Sequence, residues 1–177
     1  APMYFYHAND VNGRQYNRSD LSSQGSKLVR AFVQPLSVIQ RGDKKHANAV
    51  KLALAQGLGI DADKQSNDKT YADIAQLEQT DTLFNATIRM LQDVENGGNL
   101  DIALLSEIMQ RYQKSPEHAF HVLTEYARYQ NFLEGTEPTF KTTMYYEIDG
   151  VTNGPFHSLM LLALNDTPIL RKKLKNA

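Results

Sequence analysis

The first candidate for chemistry is Asp149, because of where it falls in the chain. It follows Phe140–Ile148, a stretch rich in Thr, Tyr and Phe that favours a β-strand. Gly150 begins a glycine-containing turn, and Phe156–Leu164 then predicts an apolar helix. A carboxylate at a strand end is held firmly and stays open to a ligand, which suits magnesium, an ion that takes only one or two protein carboxylates. Taken alone, the pattern is more typical of an aspartate that accepts hydrogen bonds within a turn.

A second candidate is a set of metal-ligand residue types on one predicted helix. His118, His121 and Glu125 are spaced i, i+3 and i+7, so they would share a helix face and could hold zinc. The spacing is loose, the sequence has no His-Glu-x-x-His motif, and no fourth ligand is apparent. The sequence also has no cysteine, which excludes thiolate zinc sites, disulfides and cysteine nucleophiles. Zinc is therefore the less favoured interpretation.

Most of the remaining chain predicts helices that would support these residues. Apolar residues recur at helical spacing, with Asp, Ser or Pro at the starts and Gly near several ends. Ser115 followed by Pro116 predicts the start of the longest helix, with the Ser115 hydroxyl as its N-cap. The predicted helices are Ser26–Val33, Asp43–Leu58, Asp68–Gln79, Asp81–Glu95, Leu100–Tyr112 and a helix from Ser115 to the region of Phe132. The apolar stripe is clearest on Asp81–Glu95, at Leu83, Phe84, Ile88, Leu91 and Val94.

Short extended segments are predicted near the two ends of the sequence. Tyr4–His7 and Arg14–Tyr16 are rich in aromatic residues and flank a turn-forming run, Asn9–Gly13, so they predict a hairpin-like pair. Phe140–Ile148 adds a further strand. A few short antiparallel strands and about seven helices together predict a mainly helical α+β fold.

Charge is unevenly distributed, although the formal net charge is only −1. Residues 1–60 carry eight Lys/Arg and three Asp, residues 61–110 carry three Lys/Arg and ten Asp/Glu, and residues 111–177 carry eight and seven. The regional net charges are therefore +5, −7 and +1. A polyanion would meet the first region or the basic run Arg171–Lys175. Solvated faces explain the same distribution, and so does a non-enzymatic helical interaction module whose acidic face docks a basic partner.

Nothing in the sequence is suited to a membrane or to secretion. The longest wholly apolar run, Leu159–Leu164, is far too short to span a bilayer. The first residues lack the charged and apolar regions of a signal peptide. For this reason we expect a protein that is not secreted. Met3–Tyr6 predicts a strand that starts abruptly, so we also expect a fragment of a larger protein.

Short motifs in a fixed order link the chain to a known family. Asp10–Tyr16 resembles the D-x-x-G-R motif of phage-type single-subunit DNA-directed RNA polymerases, and Ser23–Gly25 is similar to the loop that follows it. Asp149–His157 is similar to their motif A, D-G-x-x-x-G-x-x-H. Between them, Ser115–Pro116 and Glu125–Ala127 resemble a palm helix in order and spacing. The combination covers most of the chain and most resembles the virion-packaged RNA polymerase of a coliphage.

The resemblance implies a catalytic role for the motif A residues. Asp149, with the carbonyl of Gly150, would hold two Mg²⁺ ions that are completed by a second aspartate outside this chain. Two-metal phosphoryl transfer would then add ribonucleotides to an RNA 3′ end. Gly154 would admit the ribose 2′-hydroxyl, because it has no side chain. His157 matches a family position, but packing and hydrogen bonding are its favoured roles.

The resemblance also implies nucleic-acid contacts and partners. Arg14 would bind the template strand, with Gly13 permitting close approach to a phosphate and Asp10 orienting the guanidinium. The partners would be the DNA template, the nascent RNA, ribonucleoside triphosphates and the remaining polymerase domains. The location would be the phage virion and then the host cytoplasm.

The resemblance divides the chain, as a partial palm region, into three parts. Residues 1–25 would form the D-x-x-G-R hairpin and loop, residues 26–135 the helical part, and residues 136–177 the motif A strand, turn and helix. The family's fingers helix and second catalytic aspartate have no counterpart here, so we expect the chain alone to be inactive. Pro155 and Phe156 replace the usual hydrophobic-Gln pair, and the middle of the chain matches the family poorly.

Overall fold

The structure, a computed structural model, describes residues 6–9, 15–17, 34–60 and 64–147. In these ranges the elements are β1 (His7–Asn9), β2 (Gln15–Asn17), β3 (Ser37–Gln40), α1 (Lys44–Gly57), α2 (Asn67–Thr80), α3 (Thr82–Glu95), α4 (Ile102–Arg111), α5 (Pro116–Glu134) and β4 (Thr139–Thr142). The predicted mainly helical α+β fold is confirmed. The predicted helices 26–33 and 156–164 lie outside the described residues. None of the described helices is both long and apolar enough to cross a membrane.

Contacts divide the chain into two compact units. One is the continuous stretch Leu21–Glu147, which holds the five described helices and the β3–β4 pair. The other combines Ala1–Asp20 with Ile148–Ala177, and its described part is the β1–β2 pair. These two strands are antiparallel, with Ala8 opposite Tyr16. The predicted hairpin-like pair is therefore confirmed, with its first strand displaced a few residues along the chain.

Helices α3 and α5 pack together at the centre of the larger unit. The predicted apolar stripe of α3 is buried at Phe84, Ile88 and Leu91. The Phe84 ring lies against Tyr126 of α5, with 6.2 Å between ring centroids. Because α5 meets α1, α3, α4 and β4, its buried positions extend over more than one face of the helix. They are Ala119, Val122, Leu123, Glu125, Tyr126, Ala127, Tyr129 and Phe132.

Aspartate side chains cap three of the helices. Asp43, Asp81 and Asp101 each accept a hydrogen bond from a backbone N–H at the start of α1, α3 and α4. Ser115 occupies the N-cap position of α5, but its hydroxyl accepts no bond from the helix backbone and donates to Glu117 at 3.2 Å. The predicted Ser115 cap is therefore wrong, although the helix does begin at Pro116.

Helix α1 approaches α5 closely because its last residue is a glycine. A Cβ on Gly57 would overlap the side chain of Val122, so only glycine fits this spacing. Gly59, two residues later, has a φ of 78°, in the left-handed region that favours glycine at helix ends. The two glycines near the end of this helix thus act differently, because Gly57 permits close packing and Gly59 turns the chain.

Strands β3 and β4 pair antiparallel, from Ser37 opposite Thr142 to Gln40 opposite Thr139. Sequence reasoning missed β3, which lies within the predicted helical part 26–135. It is only four residues long and only Ile39 is buried, so it carries no alternating apolar pattern.

Arg41 follows β3 and caps the end of α5. Its guanidinium donates to the backbone carbonyls of Phe132, Leu133 (3.0 Å) and Glu137 (2.9 Å). It also lies over the Phe132 ring, 4.4 Å from the centroid. The last carbonyls of a helix have no partner within the helix, so Arg41 satisfies them and ties α5 to the sheet.

Candidate functional site

The residues predicted to form the site lie outside the described residues. They are Asp10, Gly13, Arg14, Asp149, Gly150, Gly154 and His157. The structure does describe the backbone beside them. Asn9 and Gln15, which precede and follow the D-x-x-G-R-like motif, are paired across β1 and β2. On the other side, Thr143–Glu147 leads from β4 towards Asp149, and we call this stretch the exit segment.

The exit segment has no regular secondary structure, so the predicted strand Phe140–Ile148 is wrong for residues 143–147. The ladder of hydrogen bonds between β3 and β4 ends where Ser37 pairs with Thr142. Beyond that point the backbone finds side-chain partners instead. The N–H of Thr143 donates to Glu125, and the N–H of Met144 donates to the Thr142 hydroxyl at 3.0 Å. These bonds replace the strand partner and end the strand.

Glu125 ties the start of the exit segment to α5. It is buried, and its Oε2 accepts bonds from the Thr142 hydroxyl (2.5 Å) and the Thr143 N–H (3.0 Å). Its Oε1 accepts from Arg128 at 2.5 Å. Burial alone would lower the pKa of Arg128, but Glu125 and Glu95 outweigh burial and raise it. A buried carboxylate is costly unless it is paired and hydrogen-bonded, and this one has three partners.

Gln56 ties the end of the exit segment to α1. Its side-chain amide donates to the carbonyl of Glu147 at 2.8 Å and accepts from the N–H of the same residue at 2.6 Å. One side chain therefore satisfies both backbone polar groups of a residue 91 positions away. A neighbouring strand would normally supply such a pair of bonds, and here a helix supplies it.

Between these tethers the exit segment lies beside two histidines of α5. The His118 ring stacks on Tyr145, with 6.0 Å between centroids. Burial lowers the pKa of His121, although Glu125 and the Thr143 backbone oppose the shift. In the described ranges no three His, Cys, Asp or Glu side chains are placed to hold a metal ion. Glu125 is also a poor zinc ligand, because both of its carboxylate oxygens already accept hydrogen bonds from protein groups.

Part of the exit segment lines a cavity of about 290 Å³ between β3 and α1. Met144 and Tyr146 reach this cavity, together with Val38 and His46. Met144 is buried, but Tyr146 is 40% exposed. Apolar packing therefore holds the segment only in part, and hydrogen bonds from α1 and α5 supply the rest.

Some of the acidic residues of region 61–110 are used inside the unit. Asp81 accepts from the Phe84 N–H at 2.9 Å and pairs with Arg111. Burial would raise the pKa of Asp81, but these two partners outweigh burial and lower it. Glu78 accepts a hydrogen bond from the buried Tyr126 hydroxyl. These carboxylates are therefore engaged, whereas Asp68, Asp93 and Glu107 are exposed.

Comparison with known proteins first gives the class that the helical unit resembles. Residues 48–130 match the family described as virion DNA-directed RNA polymerase, plug insertion. The match begins within α1, ends within α5 and lies wholly inside the unit Leu21–Glu147. The helical unit is thus similar to a plug insertion of this class of polymerase.

A particular relative extends the similarity to nearly the whole chain. The virion DNA-directed RNA polymerase of Enterobacteria phage N4 is 26% identical over 168 residues, which cover 92% of this chain. The resemblance to a phage virion RNA polymerase, predicted from the motifs, is confirmed. The chain spans only 5% of the length of that relative. No solved structure gives a significant match.

Sequence reasoning missed both the plug insertion and the Gln56 tether. A signal for the insertion was present, because the middle of the chain resembles phage-type polymerases less than the motifs on either side do. An inserted unit produces this pattern, since relatives without it share only the flanks. Ser115–Pro116 and Glu125–Ala127, predicted to belong to a palm helix, lie within 48–130 and so match the plug insertion instead. Gln56 gave no signal, because its partner is a backbone group 91 residues away.

Proposed function

We propose that this chain is part of a virion DNA-dependent RNA polymerase in which a helical plug insertion separates two stretches of the catalytic palm. The observation that carries the proposal is the order along the chain. The D-x-x-G-R-like Asp10–Arg14 comes first, the plug match at 48–130 follows, and the motif A-like Asp149–His157 comes last. The two compact units support this order, because Leu21–Glu147 separates two stretches that group with each other.

In this proposal Asp149 is the catalytic carboxylate, and the carbonyl of Gly150 is a second magnesium ligand. Both lie outside the described residues, and a second aspartate comes from elsewhere in the polymerase. Magnesium, when bound, would supply charge neutralisation for attack of the RNA 3′ hydroxyl on the α-phosphate of a ribonucleoside triphosphate, with pyrophosphate as the leaving group. Gly154 leaves space for the ribose 2′-hydroxyl, because it has no Cβ. His157 packs and hydrogen-bonds beside them.

In this proposal the residues between β1 and β2 bind the template strand. Arg14 binds a template phosphate, Gly13 lets the backbone approach it, and Asp10 orients the guanidinium. The pairing of Asn9 with Gln15 supports this proposal, because it holds the two ends of the motif together. The proposed partners are the DNA template, nascent RNA, ribonucleoside triphosphates and the other polymerase domains. The proposed location is the virion and then the host cytoplasm.

RNA synthesis by the full-length polymerase on a primed template with magnesium tests the proposal. We expect Asp149→Asn to lower nucleotide addition by at least about 1,000-fold with template binding retained, because an amide cannot replace the charge of a catalytic carboxylate. Asp166→Asn, an aspartate of the same C-terminal stretch outside the motif, is the matched control and should be fully active. Near-normal synthesis by Asp149→Asn would contradict the proposal.

A helical interaction module with an acidic docking face is the second candidate. The exposed side chains of Asp68, Asp93 and Glu107 favour it. This module would leave the two motifs and their order without a role. The interaction-module proposal replaces the polymerase proposal if the polymerase carrying Asp149→Asn synthesises RNA normally.

A further inference from the structure

We propose that a cavity of the helical unit binds a small organic carboxylate with an apolar body. The cavity lies between α1, α3 and α5 and has a volume of about 420 Å³. Pockets of this size that bind small molecules usually have apolar walls and a few polar groups that orient the ligand. The lining residues that carry the proposal are all described and belong to the unit Leu21–Glu147, so it does not depend on the motif residues.

Apolar and aromatic side chains form the wall of the cavity. Phe84 and Ile88 of α3 and Tyr126 of α5 line it and are buried in the core of the unit. Leu133 also lines it, near the end of α5, but is 43% exposed. An apolar group that enters the cavity would cover Leu133 without displacing a packed side chain, and such burial is favourable. The wall therefore suits the apolar body of a ligand.

Tyr129 adds a polar group to this wall. Its ring packs against Tyr126 and Phe140, with centroid distances of 6.3 and 5.9 Å, and the residue is only 7% exposed. Tyr129 lines the cavity, and its hydroxyl makes no hydrogen bond with any described residue. Burial raises the pKa of Tyr129, against the opposing effect of Arg41, so the hydroxyl keeps its proton at neutral pH. Buried polar groups are usually hydrogen-bonded, and a ligand oxygen would supply the missing acceptor.

The charges that line the cavity favour an anion with a single charge. Arg89 of α3 makes no hydrogen bond or ion pair within the described ranges, so its guanidinium is available to a ligand. Glu78 is already engaged, because it accepts from the Tyr126 hydroxyl and lies 4.0 Å from Lys51. Glu134 also lines the cavity but is exposed to water. A carboxylate can accept from the guanidinium and the free hydroxyl, and the two glutamates repel it less than they would a phosphate.

Three probes that share one apolar body and differ in charge test the proposal in the full-length polymerase. Phenylpropionate carries a carboxylate, phenylpropanol is neutral and phenylpropylamine is a cation. Hydrogen exchange is followed in peptides that cover residues 84–92 and 126–134, which contain the cavity-lining parts of α3 and α5. Protection of these peptides as a function of probe concentration gives the Kd of this cavity alone, even if the polymerase binds the probe elsewhere.

We expect the Kd of phenylpropionate to be at least about tenfold lower than that of either other probe, because charge-assisted hydrogen bonds are the stronger ones. Arg89→Gln should raise the Kd of phenylpropionate about tenfold and leave that of phenylpropanol unchanged. Tyr129→Phe should raise it about three- to tenfold, without faster exchange of the unliganded unit, because the lost hydroxyl has no protein partner. Lys69→Gln and Tyr71→Phe on α2, outside the cavity lining, are the matched controls and should bind as wild type does.

Absence of protection by phenylpropionate would overturn the proposal, as would equal Kd values for the three probes or tightest binding of phenylpropylamine. An unchanged Kd in both Arg89→Gln and Tyr129→Phe would also overturn it. If Arg89→Gln perturbs the unliganded unit, Tyr129→Phe decides in the same assay. Glu134→Gln should bind phenylpropionate at least as tightly as wild type, because it removes a like charge; weaker binding would overturn the assignment of an anionic ligand.

Discussion

The α3–α5 interface and the exit segment are held in place by different interactions. In the interface, Phe84 and Leu123 are 1% and 0% exposed. In the exit segment, Tyr146 is 40% exposed, and bonds from Glu125 and Gln56 hold the backbone. Apolar burial contributes roughly 25 cal/mol per Å², so large side chains dominate the first region. A hydrogen bond contributes about 0.5–1.5 kcal/mol net, so the second region depends on a few small contributions.

The comparison indicates how each region should open. A packed interface opens only when the whole unit unfolds, because its contacts are shared among many residues. A segment held by a few polar bonds can open by itself. Substitutions in the interface should therefore lower the stability of the whole unit, whereas substitutions in the tethers should free the exit segment alone.

The largest expected effect is that of Phe84→Ala in the interface. Removal of this buried ring, which packs on Tyr126, should lower the free energy of unfolding by about 3–5 kcal/mol. Urea unfolding followed by circular dichroism measures the loss. Phe120→Ala on α5 is the matched control, because Phe120 is 40% exposed and should cost much less. Similar losses in both variants would contradict the assignment of the interface as the core.

Gly57→Ala should have the next largest effect, because its new methyl group would overlap Val122 where α1 meets α5. We expect a loss of about 1–3 kcal/mol in the free energy of unfolding. Val122→Ala in the same chain should recover part of the loss, since it removes the methyl groups that collide. A double-mutant cycle measures this coupling, and strictly additive effects would show that the close contact is not formed.

Glu125→Gln tests the tether at the start of the exit segment. One amide oxygen cannot replace both carboxylate oxygens. Facing Arg128 it would lose the bonds from Thr142 and Thr143, and facing those residues it would turn an NH2 group towards Arg128, so we expect a loss of about 1.5–3 kcal/mol. Hydrogen exchange should become faster at residues 143–147 and stay unchanged in α3. Glu134→Gln, an exposed glutamate on the same helix, serves as the control. Equal acceleration in α3 and in the exit segment would remove the distinction between the two regions.

The smallest expected effect is a pH dependence from His121. Burial lowers the pKa of His121 from its ordinary value of 6.5, against the opposing effects of Glu125 and Thr143. The unfolded chain then binds the proton more readily than the folded chain, so stability falls as the pH drops below 6.5 towards the folded pKa. His121→Gln should flatten the stability profile between about pH 7 and 5. Urea unfolding across this range measures the profile, with His46→Gln as the matched control; an unchanged slope in His121→Gln would contradict the assignment.

The helices were predictable from the sequence because their signals are local. The five described helices lie within two residues of the predicted bounds, and the α3 stripe is buried at Phe84, Ile88 and Leu91. Apolar spacing and capping residues act over one or two turns, so a short window of sequence contains the whole signal. Ser115 shows the limit of such reasoning, because it occupies the N-cap position of α5 as predicted but its hydroxyl makes no cap bond.

The candidate site was predictable only as motifs. Asp149 and Arg14 belong to short patterns whose order indicated a polymerase, and similarity to a phage virion RNA polymerase is confirmed. Their roles in catalysis and template binding stay predictions. The end of β4 at Thr142 was not predictable, because Thr, Tyr and Phe favour a strand wherever a partner strand exists, and β3 provides none beyond Ser37.

The sequence by itself determined the helices, the mainly helical α+β class and the motif order that links this chain to virion RNA polymerases. Only the tertiary structure decided how the chain that leads to Asp149 is held. Gln56 and Glu147 are 91 residues apart, and their bonds engage backbone groups that every residue type except proline offers in full. Such a contact leaves no pattern in the sequence, so it becomes visible only when α1 has packed on α5 and brought the amide to the exit segment.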